Sequence, residues 1–491
     1  MCGIAVIAGE KNEKLLLEMM KKMKHRGPDD EGTFFRDNIS MGQVRLSIID
    51  IKTGKQPIFN ENKDKCIVYN GEVYNFQNIK KELDNRHKFI TNTDTEVLLH
   101  LYEEKGSDCV NELEGMFAFA IWDNNELFIA RDRIGIKPLY YARKNGSLIF
   151  ASELKTLTDY EDINEFPPGC TYTSGKGFSK FYQYPQPDEL KCDTDEIVGK
   201  IRTSLFDAVE KRLVSDVPVG VFLSGGLDSS IIASIMKKNT EELHSFSVGT
   251  KESPDLYYAK QVAKYLGTIH HEYVISEDEL FNHLEKIIYY LESYDGALIR
   301  SAVANFFVSQ LARQHVKVIL TGEGADELFS GYSYLKKIKD KASLFMELNA
   351  ITSKLHNTNL QRTDRMTMAH SVEARVPFLD HSFIELIYSI PVEMRMAKSG
   401  IEKWLLRKAF EKDLPPHIAW RPKLKFSEGS KSKEILENKI ENLVTDEEFE
   451  NTRCLTELPL KNKEEVYYYK IFQNFYGKLG IANIVGRTNV Y

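Results

Sequence analysis

The stretch VPVGVFLSGGLDSS, residues 217–230, decides how the second half of this chain folds. Its first seven residues read as a short buried strand, and SSIIASIMKK (229–238) reads as a helix. Between them lie Ser224, Gly225, Gly226, Leu227, Asp228, Ser229 and Ser230. Two glycines let backbone N–H groups approach an anion closely. The serines add hydroxyl donors, and the helix beginning near Ser229 turns its positive end to the same point. The lysine and four-residue spacer of a Walker A loop are missing. A lysine-free loop with an aspartate suits pyrophosphate plus a magnesium ligand better than γ-phosphoryl transfer.

Outward from this loop, strands and helices alternate. EIVGKIRTSLFDAVEKRL (196–213) is apolar at helical spacing. HSFSVG (244–249), HHEYVI (270–275) and VKVILTG (316–322) read as strands, with helices over 253–267 and 301–315. That alternation predicts a doubly wound, largely parallel sheet, in which ligands sit beyond the carboxyl ends of the strands. A second loop in such a place, VILTGEGADELFSGY (318–332), gathers Glu323, Asp326 and Glu327 among Gly322, Gly324 and Gly331. Carboxylates there suit magnesium binding or acid–base work. The histidines of HHE (270–272) invite a metal reading, but consecutive strand residues face opposite ways, which favours an ordinary segment. EEVYYYKIFQNFYGKLG (464–480) reads as a packing helix capped by Gly477.

Residues 1–182 have another character. CGIAVIAG, KCIVYNGEVYN (65–75), MFAFAIWD (116–123), ELFIARD (126–132) and SLIFASE (147–153) are β-rich runs separated by turn residues, with helices near 13–24 and 95–105. They predict a sheet-rich layered domain. The polar stretch YQYPQPDELKCDTDE (182–196) reads as a linker. At 491 residues two domains are expected, bounded at 1–185 and 196–491.

Composition narrows the classes of function. With 42% hydrophobic and 28% charged residues the chain is globular, and a net charge of −7 without runs of like charge argues against nucleic acid. The six cysteines are scattered without C-x-x-C pairs, as in a reduced, cytoplasmic protein. No apolar run approaches a membrane span. One cysteine stands apart. Cys2 is either a small residue in a buried strand or, with Met1 removed, a nucleophile whose base is its own α-amino group.

SGGLDSS with SFSVG (245–249) resembles the PP-loop enzymes that cleave ATP to AMP and pyrophosphate. TGEGADE (321–327), SVEARVPFLD (371–380) and WRPKLKFSEG (420–429) narrow this to the synthetase half of glutamine-hydrolysing asparagine synthetases. MCGI, HRGPD (25–29), RLSIID (45–50), YNGEVYN (69–75) and TDTE (93–96) resemble a class II glutamine amidotransferase domain. The resemblance implies an N-terminal nucleophile-hydrolase αββα sandwich, then a Rossmann-like α/β domain with a helical C-terminal part.

It also implies roles for residues. In the first domain Cys2 is the nucleophile, Asn70 and the Gly71 amide form the oxyanion hole, and Arg45, Glu72 and Asp94 hold glutamine. In the second, Leu223, Ser224, Gly225, Gly226, Asp228, Ser229, Ser230, Val248, Gly249, Thr321 and Gly322 bind ATP. Asp228 and Asp326 ligate magnesium, Glu323 and Lys423 are catalytic, and Arg300 and Asp380 contact substrate or pyrophosphate. The implied reaction adenylates aspartate with ATP and Mg2+, then amidates it with ammonia that crosses an internal tunnel from Cys2. The partners are small molecules, with neither nucleic acid nor membrane, and a homodimer is entertained as the assembly. Relatives carry adjacent threonines before the arginine where this chain has Ala297 and Leu298. That departure keeps open an enzyme that adenylates another carboxylate. A glutamine- or nucleotide-binding regulator without turnover is the reading from another class.

Overall fold

Alternate residues of Gly3–Ala8 face two different hydrophobic cores. Ile4 and Val6 pack with Val68, Ala118 and Ile129 between two sheets, while Ala5 and Ile7 pack outward against Leu16, Met19 and Met20 of helix Glu13–Lys22. The same period of two sends Val68 inward, and Ile67 and Tyr69 outward onto Val97 and Leu98 of helix Asp94–Lys105. Two six-stranded sheets with helices on both outer faces follow, the αββα sandwich expected. These details come from a computed structural model, which describes residues 2–144, 146–160, 162–186, 190–422, 432–477 and 479–488.

The second half is built on a five-stranded sheet in the order Ile269–Val274, His244–Gly249, Val219–Phe222, Val318–Leu320, Glu373–Arg375, every pair parallel. The loops after Val219–Phe222 and Val318–Leu320 therefore lie side by side at one edge. Three differences from the sequence reading matter. Helix Gly296–Ala312 starts five residues early, because Asp295 caps it by accepting from the Leu298 amide at 2.9 Å. Strand Glu373–Arg375 was not foreseen. It has two charged residues in three, and it is buried only because its charges find partners. In HHE the two rings do point apart: His270 meets the Ser245 hydroxyl at 2.8 Å, whereas His271 stacks on His315 with centroids 3.8 Å apart. Helix Lys463–Tyr476 ends at Gly477 with φ 61°, as its sequence predicts. No helix among the described residues is long and apolar enough to cross a membrane.

The two halves are joined by a buried lattice of charge. From the first half come Arg26, Glu153 and Lys155; from the second come Glu292, Asp364 and Arg365. Arg26 donates to Glu153 at 2.8 Å and through both terminal nitrogens to Asp364 at 2.8 and 3.0 Å. Lys155 bridges Glu153 at 2.6 Å and Glu292 at 2.9 Å, and Arg365 closes the chain onto Glu292 at 2.8 Å and Asp364 at 2.9 Å. Three cations balance three anions. Burial works against the Asp364 carboxylate, yet Arg26 and Arg365 hold its pKa down to about 2. Removing one member strands a charge, which costs about 3–5 kcal/mol in such networks. Arg26→Met is therefore expected to lower unfolding stability by roughly that amount in urea titration. A change under about 1 kcal/mol, the range of exposed pairs, would contradict the role given to this lattice.

Candidate functional site

Two sites emerge, one in each half. In the first, Cys2 is buried ahead of strand Gly3–Ala8, and its backbone N–H donates to Asn70 Oδ1 at 3.0 Å. Asn70 sits in strand Lys65–Val73. With its oxygen engaged, the Asn70 Nδ2 is buried and has no hydrogen-bond partner among the described residues. A buried donor left open beside a thiol is a donor waiting for an acceptor. Gly71 must be glycine here, since a Cβ would lie 2.2 Å from the Met116 carbonyl oxygen of the neighbouring strand. Burial pushes the Cys2 thiol up, while the Leu46 amide and the Arg45 charge pull it back.

Around this pair stand the other expected residues. Arg45 is held by backbone carbonyls, donating to Asp50 at 2.8 Å and Ile49 at 3.1 Å. Gly54 makes room for it, because a Cβ there would lie 2.5 Å from Arg45 Nη2. Asp94 opens helix Asp94–Lys105 and accepts from the Tyr69 hydroxyl and the Val73 amide, both at 2.9 Å. Burial lifts its carboxyl to about 6 against the pull of those donors. Glu72 is turned to the domain boundary, 3.4 Å from Arg375, and burial beside Glu373 raises its pKa well above the ordinary range.

The second site is a cavity of about 420 Å3 at the carboxyl edge of the parallel sheet. Leu223, Ser224, Gly226, Asp228, Ser229, Val248, Thr321, Gly322, Glu323, Asp326 and Arg300 all line it. Gly226 precedes helix Leu227–Asn239 with no side chain capping it, so the helix amides face the cavity. Ser224 and Ser229 share a hydroxyl contact at 3.1 Å that shapes the loop. Gly225 has φ 68°, and a Cβ on it would lie 2.4 Å from the Ala259 amide nitrogen. Gly322 brings the second loop against the first, with room for a Cβ only 2.8 Å from that of Asp228.

Not every expected residue reaches the cavity. Gly225, Ser230 and Gly249 are not on its wall. Ser230 turns back to the Gly226 carbonyl at 2.6 Å, and Gly249 packs on Ser253. Asp380 is a correction: it caps helix His381–Ser389 and pairs with Arg212 at 2.8 Å and Lys211 at 3.0 Å, away from the cavity. Its charge is already spent on structure. Arg300 does reach the cavity, paired with Glu437 at 2.5 Å and Glu464 at 3.5 Å. Lys423 lies outside the described residues.

Three residues on the wall escaped the sequence reading. Lys403, in the left-handed region with φ 55°, places Nζ 2.6 Å from Asp228 and 2.5 Å from Asp326. Burial alone would lower its pKa, but the two carboxylates raise it. Gly331 leaves space for this triad, since a Cβ there would lie 2.0 Å from Asp326 Oδ1. Arg362 pairs closely with Glu323. Arg421 donates to the Gly225 carbonyl at 3.1 Å and stacks 3.8 Å over the Tyr258 ring. KWLLRKAF (403–410) carries no local signal for Lys403, because only the tertiary fold brings it to the two aspartates.

Magnesium fits this donor set. Asp228 and Asp326 present hard oxygens on one wall; the Lys403 ammonium takes the point between Asp228 Oδ2 and Asp326 Oδ1, and Asp228 Oδ1, buried without a hydrogen-bond partner among the described residues, is an oxygen left for an ion.

Comparison with known proteins matches each half of the chain to a family. Residues 1–177 match the model of the glutamine amidotransferase domain, and residues 200–352 and 345–481 match that of asparagine synthase. Asparagine synthetase [glutamine-hydrolyzing] 1 of Arabidopsis thaliana is 39% identical over 97% of this chain and 87% of its own length. The asparagine synthetase [glutamine-hydrolyzing] of Sandersonia aurantiaca is 38% identical over 98% and 97%. The solved glutamine phosphoribosylpyrophosphate amidotransferase from B. subtilis overlaps 51% of this chain and 67% of its own, at a TM-score of 0.34 and 20% identity, too loosely to add to the argument. By identity and coverage, this chain belongs to the family of glutamine-hydrolysing asparagine synthetases.

Proposed function

We propose that this protein makes asparagine from aspartate, ATP and glutamine, with Cys2 and the loop 224–230 as its two chemical centres. The observation that carries the reading is the buried, open Nδ2 of Asn70 beside Cys2, in the same chain as an anion-binding loop faced by two aspartates.

At the first centre, Met1 is removed and the freed α-amino group of Cys2 acts as base, its ordinary pKa of about 7.7–8.0 suiting it to neutral pH. The thiol sulfur attacks the glutamine side-chain carbonyl, and its proton passes to the amine. The oxyanion is held by Asn70 Nδ2 and the Gly71 amide, a donor of this kind contributing roughly 3–4 kcal/mol. Collapse expels ammonia, and water then releases glutamate from the thioester. Arg45 pairs with the substrate α-carboxylate and Asp94 with its α-ammonium.

At the second centre, the amides opening helix Leu227–Asn239 and the Ser224 and Ser229 hydroxyls hold the β- and γ-phosphates. Asp228 and Asp326 would hold Mg2+, which supplies charge neutralisation for the departing pyrophosphate. Lys403 keeps these two carboxylates together. The aspartate side-chain carboxylate attacks the α-phosphorus, the bond to the β-phosphate oxygen breaks, and β-aspartyl-AMP forms. Ammonia travels inside the protein, because in water it would be protonated. Glu323, positioned by Arg362, takes a proton from the attacking nitrogen as AMP leaves. Ala297 and Leu298 give this cavity an apolar wall, which favours keeping another carboxylic acid as the second reading. Pyrophosphate release with glutamate or longer acids, but none with aspartate, would select it. A cytosolic setting suits the six unpaired thiols.

Cys2→Ala is expected to abolish asparagine formation from glutamine while leaving formation from added ammonium within about twofold, because the two centres do separate chemistry. Equal loss from both nitrogen sources would sink the two-centre reading. Glu323→Gln is expected to slow amide formation roughly 10²–10⁴-fold with pyrophosphate release retained, as measured by parallel product assays. Asp94 must be ionised to hold an ammonium, and its carboxyl titrates at about 6. The KM for glutamine should thus rise as pH falls below that value, and a KM flat between pH ~5 and ~8 would remove Asp94 from the pocket.

A further inference from the structure

On the outer layer of the first half, two histidines and two glutamates converge where nothing in the reaction needs them. Glu61 lies in the turn before strand Lys65–Val73 and His87 in the connection after helix Phe76–Leu83; His100 and Glu103 lie three residues apart on helix Asp94–Lys105. We propose that these four side chains form a binding site for a divalent transition-metal ion of the zinc class.

The geometry points there first. His100 Nδ1 lies 2.7 Å from Glu103 Oε2 and 3.8 Å from Glu61 Oε2. His87 Nδ1 lies 3.5 Å from Glu61 Oε1 and 3.7 Å from Glu103 Oε2. Both imidazoles thus present the same ring nitrogen to the same two carboxylates. All four ligand atoms fall within 4.8 Å of one another. Donors that each lie about 2.0–2.1 Å from one tetrahedral ion are roughly 3.3 Å apart, so only small side-chain shifts separate this cluster from a closed N2O2 shell.

The surroundings are those of a metal site. Behind each imidazole stands another carboxylate: Glu104 is 3.1 Å from His87 Nε2, and Glu96 is 3.8 Å from His100 Nε2. Such carboxylate–histidine pairs fix the tautomer that leaves the opposite nitrogen free to ligate. His100 Nε2 is buried without a hydrogen-bond partner among the described residues, which a shift toward Glu96 on ligation would correct. Each ligating carboxylate is also steadied from outside, Glu103 by Asn60 Nδ2 at 2.7 Å and Glu61 by the Lys88 amide at 2.8 Å.

Charge makes the same demand. Glu61, Glu96, Glu103 and Glu104 gather here against Arg86, which pairs with Glu104, and Lys65, whose charge reaches Glu103 from a distance. The two imidazole rings stack with centroids 4.4 Å apart, so two imidazolium charges there would repel. One divalent ion supplies that charge through the Nδ1 lone pairs, displacing protons to solvent as it binds. The ion would tie the segment after helix Phe76–Leu83 to the helix whose first residue is Asp94 of the glutamine pocket.

The test is calorimetric titration of metal-free full-length protein with Zn2+ near neutral pH, in two buffers of different ionisation enthalpy. Wild type is expected to bind Zn2+ with proton release and to gain thermal stability. His87→Gln and Glu61→Gln, both changed at side chains that reach solvent, should each weaken that binding at least tenfold and lose the thermal gain. His315→Gln, in the separate group of His244, His271 and His315, should leave it intact. If wild type binds no Zn2+, or if both variants fold by circular dichroism and bind as wild type does, the site is refuted. Should His87→Gln fail to fold, Glu61→Gln decides alone.

Discussion

Arg26 is the residue on which the two-part architecture turns. Its Nε donates to the Cys2 carbonyl at 2.9 Å, while its other nitrogens reach Glu153 and Asp364. One fully buried guanidinium therefore connects the backbone of Cys2 to helix Asn359–Met368 of the second half. A guanidinium can do this because it offers five donors in a rigid plane and stays charged when buried. Lysine, with three donors on a single atom, could not make the four bonds that Arg26 makes from three nitrogens.

The rest of the boundary follows the same logic. Arg375, also buried, donates to Glu373 at 2.7 Å and to the Arg212 and Val214 carbonyls at 2.7 Å, and reaches Glu72 at 3.4 Å. Strand Glu373–Arg375 is thus both the last strand of the parallel sheet and a contact of the glutamine-binding half. Such pairs add little to stability compared with apolar packing of the same volume, but they tolerate only one arrangement of the halves. For an enzyme that must pass ammonia from one centre to the other, a unique arrangement is the useful property. The hydrophobic core spans the boundary as well, with Ala5 and Met20 in one cluster with Ile299 and Val303.

Much of the site was legible from local chemistry. A glycine-rich turn between a short apolar run and a helix has one common use, so SGGLDSS could be placed on a strand-to-helix loop before any fold was known. The strand around Cys2 showed as a short apolar, β-rich run. What local sequence misjudged were charges whose partners lie far along the chain. Asp380 looked like a substrate anchor and is a helix cap pinned by Arg212 and Lys211. Lys403 carried no local signal and is enclosed between two aspartates that precede it by 175 and 77 residues.

The distinction has a physical cause. Period, cap and turn preferences act over a few residues, so the sequence by itself determined a sheet-rich layered first half, the parallel sheet, the glycine-rich strand-to-helix loop and Cys2 at the head of a strand, while the αββα order came from the family resemblance. A charge has no such local rule, since an arginine may be solvated, paired or buried according to what folds against it. Only the tertiary structure decided that Arg26, Arg365 and Arg375 are interior, that Lys403 joins Asp228 to Asp326, and that Asn70 keeps a donor open beside Cys2. Burial settles those roles, because a charge or donor taken from water must find its partner within the fold.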